Sequence, residues 1–182
     1  MNSVTEQEAY MKQAIREARK AARNGDVPIG CIIVYDGSAP QSKADMHASE
    51  LGITPGTVIG KGYNRRNKDH NALMHAEIIA IRKACKKFQD WRLEDCTMYV
   101  TLEPCPMCAG AIVQARLPRV VLGARNPKAG CCGSVIDLLH QDRLNHQAEM
   151  TEHILTEECQ ALMTDFFAVL REKKLKKIEQ GS

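Results

Sequence analysis

The chain has 182 residues, and its 25 lysines and arginines against 22 aspartates and glutamates give a net charge of +3. This length allows one domain with a substantial hydrophobic core, and the 44% hydrophobic and 26% charged content is typical of a globular protein. The small charge does not by itself indicate a nucleic-acid-binding protein, no apolar run approaches the roughly 18 residues of a membrane span, and the polar start MNSVTEQEAY is not a secretory signal.

The N-terminal third predicts a helix followed by two strands. Apolar residues recur at helical spacing until Asn24-Gly25 interrupts the pattern. The β-branched run at residues 29–35 is typical of a buried strand, and strand character resumes over residues 57–63. We expect these strands to pair as a hairpin. The apolar positions of the helix are Ala9, Ile15, Ala18 and Ala22.

Residues 37–56, which connect the two predicted strands, hold three glycines, two prolines and three serines. That composition is typical of a loop. We interpret the segment as a surface insertion within one domain, because the entropic cost of closing a loop grows only slowly with its length.

Strands and helices alternate in the rest of the chain, where residues 130–133 predict a turn. Five strands alternating with helices predict a single α/β domain over residues 1–182, a three-layer α/β/α sandwich with helices on both faces of a five-stranded mixed sheet. The last helix, with Leu162, Phe166 and Leu170 on one face, ends in a basic tail. The predicted helices are 75–88, 105–116 and from 156 onward, and the predicted strands are 96–102, 119–123 and about 149–154.

Two motifs carry the predicted chemistry, His75-Ala76-Glu77 and Pro104-Cys105-Pro106-Met107-Cys108. The two cysteines are three residues apart, so both sulfurs point to one side of the first turn of a helix. Pro106 supports this placement, because a proline in the first turn removes no helical hydrogen bond. Unpaired N–H groups at such a helix start lower the pKa of a thiol.

If the two helix starts converge, His75, Cys105 and Cys108 supply three ligands for a tetrahedral zinc ion, and the open fourth position marks a catalytic site. Zinc lowers the pKa of a bound water to about 7. Glu77 could then carry a proton between that water and a substrate. His-x-Glu followed by Pro-Cys-x-x-Cys is a known signature of zinc-dependent nucleobase deaminases.

Each motif has a plainer interpretation when it is taken alone. The Cys-x-x-Cys pair could be a redox couple, and Cys131 or Cys132 could complete a structural zinc site. A lone His-Ala-Glu is usually a solvated helix start. The two motifs together, in this order and each at a helix start, favour a deaminase. Four other cysteines lie in apolar patterns and are expected to be buried: Cys31, Cys85, Cys96 and Cys159.

Beyond these motifs, the chain resembles the bacterial tRNA-specific adenosine deaminases, which convert wobble-position adenosine to inosine in a tRNA anticodon. The resemblance extends to about Phe167. Cytidine, deoxycytidylate, guanine and riboflavin-pathway deaminases share the zinc motif, whereas residues 62–65, 123–128 and 165–167 favour a tRNA substrate. The similar stretches are Asp26-Val27-Pro28-Ile29-Gly30, Gly62-Tyr63-Asn64-Arg65, His75-Ala76-Glu77, residues 100–111, Gly123-Ala124-Arg125-Asn126-Pro127-Lys128, Gly133-Ser134 and Asp165-Phe166-Phe167.

This resemblance implies a cytidine deaminase-like fold, one zinc ion per chain, no organic cofactor, a tRNA anticodon stem-loop as partner and a homodimer. Glu77 would be the proton shuttle. The target base would be hydrogen-bonded by Asn64 within walls formed by Val27, Pro28, Ile29 and Leu102, and backbone around Glu103 would help to hold the attacking oxygen. Splayed anticodon nucleotides would be contacted by Asn126, Lys128, Phe166 and Phe167, although one of the two phenylalanines could instead be a core residue.

Two features depart from the family pattern. Many members carry Asp where this chain has Asn126, near the ribose of the target nucleotide, and an amide can donate as well as accept hydrogen bonds. We therefore expect altered discrimination by the 2′-hydroxyl. The other departure is the length of residues 37–56.

Two basic clusters are candidates for contact with phosphates. Residues 65–70 lie close in sequence to Asn64 and His75 and are the better candidate, whereas the tail is equally well explained as a solvated helix end. The cations of the two clusters are Arg65, Arg66, Lys68 and His70, and Arg171, Lys173, Lys174, Lys176 and Lys177. The rival functions are deamination of a free base or nucleotide such as guanine, cytosine or deoxycytidylate, and a zinc or RNA-binding module without turnover.

Overall fold

The computed structural model describes residues 3–179, in which five helices surround a five-stranded sheet. The helices are α1 (Val4–Arg23), α2 (Lys43–Glu50), α3 (Ala76–Phe88), α4 (Pro106–Gln114) and α5 (Thr156–Glu179). The strands are β1 (Gly30–Tyr35), β2 (Val58–Tyr63), β3 (Cys96–Leu102), β4 (Arg119–Ala124) and β5 (Glu149–Thr151). No helix within residues 3–179 combines the length and the apolar character that a membrane crossing needs.

The sheet is mixed, and its strand order is β2-β1-β3-β4-β5. β1 pairs antiparallel with both β2 and β3, so the predicted hairpin is confirmed, with Gly30 opposite Tyr63. β3, β4 and β5 are parallel to one another. The carboxyl ends of β3 and β4 therefore lie at the same edge of the sheet, and the segments that follow these strands meet there.

Alternating side chains of the strands build a core on each face of the sheet. Along β1, Cys31 and Ile33 belong to the core under α3 and α4, whereas Ile32 and Val34 belong to the core under α1 and α5. This period-two alternation is what a strand buried on both faces requires. The predicted three-layer α/β/α architecture is confirmed.

Glycines on β2 allow α3 to lie directly on the strand backbone. A Cβ atom at Gly60 would lie 2.3 Å from the carbonyl oxygen of Ala80, and one at Gly62 would lie 2.0 Å from that of Ala76. Any side chain larger than hydrogen would force the helix away. Ala76 is the first residue of α3, so Gly62 sets the position of the helix start that follows His75.

The prediction that residues 37–56 form only a loop was wrong, because they contain the helix α2. The Ser42 side chain caps this helix by accepting a hydrogen bond from the Asp45 N–H at 3.1 Å. Ala48 and Ile53 are buried against the core, and His47 Nε2 lies 2.6 Å from the Phe88 carbonyl oxygen at the end of α3. The insertion is therefore packed onto the protein.

Two predicted helix faces also differ from the structure. In α1, Ala9 is exposed and Ala22 is half-buried, since the buried stripe is rotated towards Met11 and Ala14. In α5, Leu170 is 43% exposed, so the predicted apolar face is only partly covered. The remaining buried residues of α1 are Ile15, Glu17, Ala18 and Ala21.

Candidate active site

Each of the two predicted metal motifs places one ligand at the start of a helix. His75 is the N-cap of α3 and Cys105 is the N-cap of α4; both have extended backbone angles, and neither side chain makes a capping hydrogen bond. Pro106 occupies the first turn of α4, as predicted, and Cys108 follows it within that turn. Because neither cap side chain is used by its own helix, the imidazole and the thiol are available to a ligand.

The ligand atoms of the three predicted residues converge. His75 Nδ1 lies 3.6 Å from Cys105 Sγ and 3.6 Å from Cys108 Sγ, and all three atoms lie within 4.8 Å of one another. Zinc–sulfur and zinc–nitrogen bonds of about 2.3 and 2.05 Å at a tetrahedral angle would separate nitrogen from sulfur by about 3.6 Å. This group of side chains therefore fits a tetrahedral metal ion.

Neither neighbouring cysteine completes this group. Within residues 3–179, one group of His, Cys, Asp or Glu side chains lies close enough to share a metal ion, and it consists of His75, Cys105 and Cys108. Cys131 and Cys132 are not part of this group. The Cys131 thiol donates to the Ala129 carbonyl at 3.6 Å, and its backbone N–H donates to the Pro104 carbonyl at 2.8 Å. A metal ion held by these three side chains would have its fourth position open to water or substrate, as is typical of a catalytic centre.

All eight cysteines of the chain lie within residues 3–179 and are free thiols. At the predicted metal site, the pKa of Cys105 is lowered to about 4 by the hydrogen bond from Cys108 and by His75. The pKa of Cys108 is raised because it donates to Cys105 and is buried. Elsewhere, Cys31, Cys96 and Cys159 are buried as predicted, whereas Cys85 is only half-buried.

Glu77 is the second residue of α3 and is 3% exposed. Burial raises the pKa of its carboxyl, and the neighbouring His75 and Cys108 offset this only in part. Its Oε2 atom is buried and has no hydrogen-bond partner. A buried polar atom without a partner costs about 1–3 kcal/mol, so such atoms are rare in cores and are expected at ligand sites.

A second buried oxygen without a partner belongs to Asn64, at the end of β2. Its side-chain nitrogen donates to the Val27 carbonyl at 3.2 Å, which fixes the orientation of the amide and leaves Oδ1 as an unused acceptor. Asn64 is only 5% exposed. Of the predicted pocket walls, Pro28 is buried, whereas Val27, Ile29 and Leu102 are half-buried.

Two chain segments beside the site are fastened together by Asp26. This carboxylate is 1% exposed and accepts hydrogen bonds from the backbone N–H groups of Asn67 at 2.7 Å and Lys68 at 3.1 Å. The predicted basic cluster is therefore held next to the Val27 segment. One of its cations is neutralised locally, since Arg65 pairs with Asp69 at 2.8 Å.

The carboxylate of Glu103, directly after β3, is fully buried and binds other groups of the protein. It accepts hydrogen bonds from the backbone N–H groups of Asn126, Cys132 and Ser134 at 2.9 to 3.0 Å. Its own N–H donates to the Ala124 carbonyl at 2.8 Å. The sequence did not predict this use of the side chain, because its partners lie more than 20 residues away.

A groove of about 360 Å³ runs between α5 and the segment after β4. Asn126, Lys128, Phe167 and Leu102 all line it, and Phe167 is 41% exposed. Phe166 lies on the other side of α5, where it is half-buried and lines a second groove of about 320 Å³ together with Pro28. Neither phenylalanine is fully buried, so the interpretation of one as a core residue is wrong.

Comparison with known proteins matches this arrangement to deaminases. A family profile of MafB19-like deaminases covers residues 5–171. The tRNA-specific adenosine deaminase of Bacillus subtilis is 44% identical over 171 residues, which are 94% of each chain. The chain belongs to the tRNA-specific adenosine deaminase family.

Solved structures of deaminases share the fold of this family member. A tRNA:A34 deaminase, studied for A-to-I editing at the wobble position of transfer RNA, has a TM-score of 0.72 and 33% identity; the match covers 85% of this chain and 98% of that one. The guanine deaminase of Nitrosomonas europaea has a TM-score of 0.65 and 20% identity over 88% of this chain and 84% of its own. At 20% identity, the likeness to the guanine deaminase shows a shared fold only.

Proposed function

We propose that this protein hydrolytically deaminates adenosine to inosine at the wobble position of a tRNA anticodon and releases ammonia. The observation that carries the proposal is the convergence of the His75, Cys105 and Cys108 ligand atoms. Two buried oxygens without a partner, Glu77 Oε2 and Asn64 Oδ1, support it. The relatives named above supply the substrate class, because the B. subtilis relative is a tRNA-specific adenosine deaminase.

The metal that fits this group is zinc, held by His75 Nδ1 and the two sulfurs, with one ion per chain. Two thiolates and an imidazole are the donor set that zinc prefers. When bound, zinc would supply Lewis-acid activation of water at neutral pH. No organic cofactor is needed for this reaction, since hydrolysis uses only water.

Glu77 is proposed as the residue that moves the proton. Its Oε2 would take a proton from the attacking water and pass it to the ring nitrogen beside the amino-bearing carbon. It would then take the proton of the newly added hydroxyl and pass it to the leaving amine, so that ammonia departs and the ring carbon becomes a carbonyl. Burial raises the pKa of this carboxyl, which favours its taking up a proton and passing it on. Asn64 Oδ1 would accept a hydrogen bond from the base and orient it.

The pocket and its surroundings suit a nucleotide of a larger RNA. Adenine carries no charge, and walls of Val27, Pro28, Ile29 and Leu102 with a single amide match an uncharged ring. The grooves on both sides of α5 offer Phe166 and Phe167 for stacking of neighbouring splayed bases, which is the usual means of reading single-stranded RNA. Asn126 and Lys128 would contact the same nucleotides.

The two basic clusters differ in their surroundings. The cluster at residues 65–70 is held beside the pocket by Asp26 and is proposed to contact anticodon phosphates. The cations of the tail, from Arg171 to Lys177, are exposed and extend along α5. Neutralising a cluster that touches phosphate should weaken tRNA binding and flatten its salt dependence, whereas a solvated helix end should show neither effect.

The rival activity is deamination of a free base such as guanine, and the third candidate is a binding module without turnover. Wild type and Glu77→Gln can be incubated separately with bulk bacterial tRNA, guanine, cytosine, cytidine and deoxycytidylate, and released ammonia can be measured. The proposal predicts that the wild type releases ammonia from tRNA and that Glu77→Gln does not. Ammonia only from the free bases or nucleotides would overturn it, and no ammonia from any substrate would favour a module.

We also propose a homodimer, a single domain over residues 1–182, and a cytoplasmic location. Val135 and Ile136 in the loop after β4 are 55% and 49% exposed, and a Cβ atom at Gly110 on α4 would meet no atom within 4 Å. Exposed apolar side chains and an open small-residue helix face are both suited to self-association. Sedimentation equilibrium would show twice the mass of the 20.3 kDa chain.

A further inference from the structure

We infer that Glu103 is a positioning residue, whose buried carboxylate holds residues 126–134 in the shape that binds RNA. We call these residues the recognition loop. The inference rests on the proposed function, because it assigns the loop to substrate binding. Glu103 follows β3 and directly precedes Pro104 and the metal-site residue Cys105, so it links the loop to the metal centre.

The carboxylate is saturated by donors of the recognition loop. Oε1 accepts from the N–H groups of Cys132 and Ser134, both at 3.0 Å. Oε2 accepts from the Asn126 N–H at 2.9 Å and from the Ser134 hydroxyl. Both ends of the loop are thereby tied to one side chain. Only an ionised carboxylate accepts at both oxygens without presenting a proton to another donor.

Two glycines make room for this arrangement. A Cβ atom at Gly130 would lie 2.3 Å from Glu103 Cδ and Oε2, so the loop passes directly against the carboxylate. Gly133 has φ 121°, and a Cβ atom there would lie 2.9 Å from Arg125 Nη1. The loop sequence therefore leaves space specifically for Glu103 and Arg125.

Arg125 extends the same network outward. Its Nη1 donates to Glu103 at 3.2 Å and to the Cys132 carbonyl at 2.8 Å, and its Nε donates to Glu152 at 2.7 Å. This places one cation against the buried carboxylate.

The hydrogen bonds to Glu103 do not engage the side chains of Asn126, Lys128 and Phe167, which line the groove. Asn126 uses its backbone N–H for Glu103, while its side chain lines the groove of about 360 Å³ with Lys128 and Phe167. The Cys131 N–H donates to the Pro104 carbonyl, which fixes the middle of the loop beside Cys105. Glu103 thus orders residues that contact RNA without itself reaching the groove.

The test compares Glu103→Gln with Asp36→Asn in zinc-loaded full-length protein. Asp36 is a matched control, because it is also a buried carboxylate bridged to an arginine, Arg119 at 2.6 Å, but it lies at the other end of β3. That strand has seven residues and is therefore about 20 Å long. Ser134→Ala, which removes one exposed hydroxyl donor, is the second variant and is expected to fold normally.

Affinity for an anticodon stem-loop is measured by fluorescence anisotropy, and KM and kcat for inosine formation are measured separately. Glu103→Gln should raise Kd and KM by about 10-fold or more with kcat within about 3-fold, Ser134→Ala should raise both constants by a smaller factor, and Asp36→Asn should change neither. Zinc content should stay at one per chain in all variants.

Equal Kd values for the wild type, Glu103→Gln and Ser134→Ala would overturn the inference, as would a loss of kcat or zinc with KM unchanged. If Glu103→Gln does not fold, an unchanged Kd for Ser134→Ala would by itself overturn the inference. A wild type that binds the stem-loop but forms no inosine would contradict the proposed function, and the binding constants of the variants would still decide the role of Glu103.

Discussion

His75 Nδ1 and Cys105 Sγ lie 3.6 Å apart, although 30 positions separate the two residues in the chain. The contact depends on two helices that start at the same edge of the sheet, and it brings two of the three proposed metal ligands together.

Removing the metal should abolish activity. Dialysis against a chelator should give an inactive protein that one equivalent of zinc restores, and cobalt(II) in its place should produce a thiolate-to-metal absorption band. Cys105→Ser should lower zinc affinity by more than the roughly 10–100-fold that follows loss of a group hydrogen-bonded to a ligand. Cys131→Ser is the matched control and should retain zinc. Equal zinc content in both variants would argue against the assigned ligands.

Gly62→Ala should disturb the start of α3. The added Cβ would lie 2.0 Å from the Ala76 carbonyl oxygen, and backbone cannot yield as a flexible side chain would. We expect a loss of about 1–3 kcal/mol in the free energy of unfolding and weaker zinc binding. Lys61→Ala, an exposed position on the same strand, should change stability by less than about 0.5 kcal/mol. Urea unfolding measures both, and equal stabilities would contradict the tight packing.

The contribution of Glu103 to stability should depend on pH. Hydrogen bonds from the recognition loop hold its folded-state pKa below the ordinary 4.5, despite burial. A depressed pKa stabilises the fold above about pH 4.5, and this stabilisation is lost as the pH falls through the folded-state value. Glu103→Gln should therefore be less stable than wild type by about 1–3 kcal/mol at pH 7, and the difference should shrink below pH 4.5. Urea unfolding at a series of pH values would refute this if the difference stayed constant.

Asn126 should weaken discrimination between RNA and DNA. Asn126 lines the groove between α5 and the segment after β4, and its Oδ1 accepts from the Lys128 N–H at 3.4 Å, a contact that Asp could also make. We expect measurable deamination of a DNA anticodon loop by the wild type and a higher RNA-to-DNA rate ratio for Asn126→Asp. The rates are compared by sequencing both substrates. DNA turnover no greater than that of a Glu77→Ala control would contradict this prediction.

The sequence predicted the sheet and the convergence of the metal-site residues because both depend on local patterns. Strand runs alternate with helical periodicity, and each motif stands at a helix start that its own residues specify. The roles of the proposed substrate contacts stay predictions. Pro106 in the first turn and the extended backbone of Cys105 are features that the motif itself encodes.

What the sequence did not predict depends on distant partners. The helix α2 has only eight residues and lies between segments rich in glycine and proline, so its composition resembled a loop. The carboxylates of Asp26 and Glu103 bind backbone N–H groups of remote loops, and backbone donors leave no residue-type signal. In α1, the sequence pattern did not show that Ala9 is exposed and Met11 is buried, because alanine occurs on both faces of a helix.

The most direct test of the central claim is sequencing of bacterial tRNA after incubation with zinc-loaded wild type and with Glu77→Gln. The amide variant replaces a carboxyl whose Oε2 has no protein partner, so it should fold and bind zinc as the wild type does. The account predicts adenosine-to-inosine change at the wobble position with the wild type and none with Glu77→Gln. Unchanged tRNA with the wild type, or equal editing by both proteins, would contradict it.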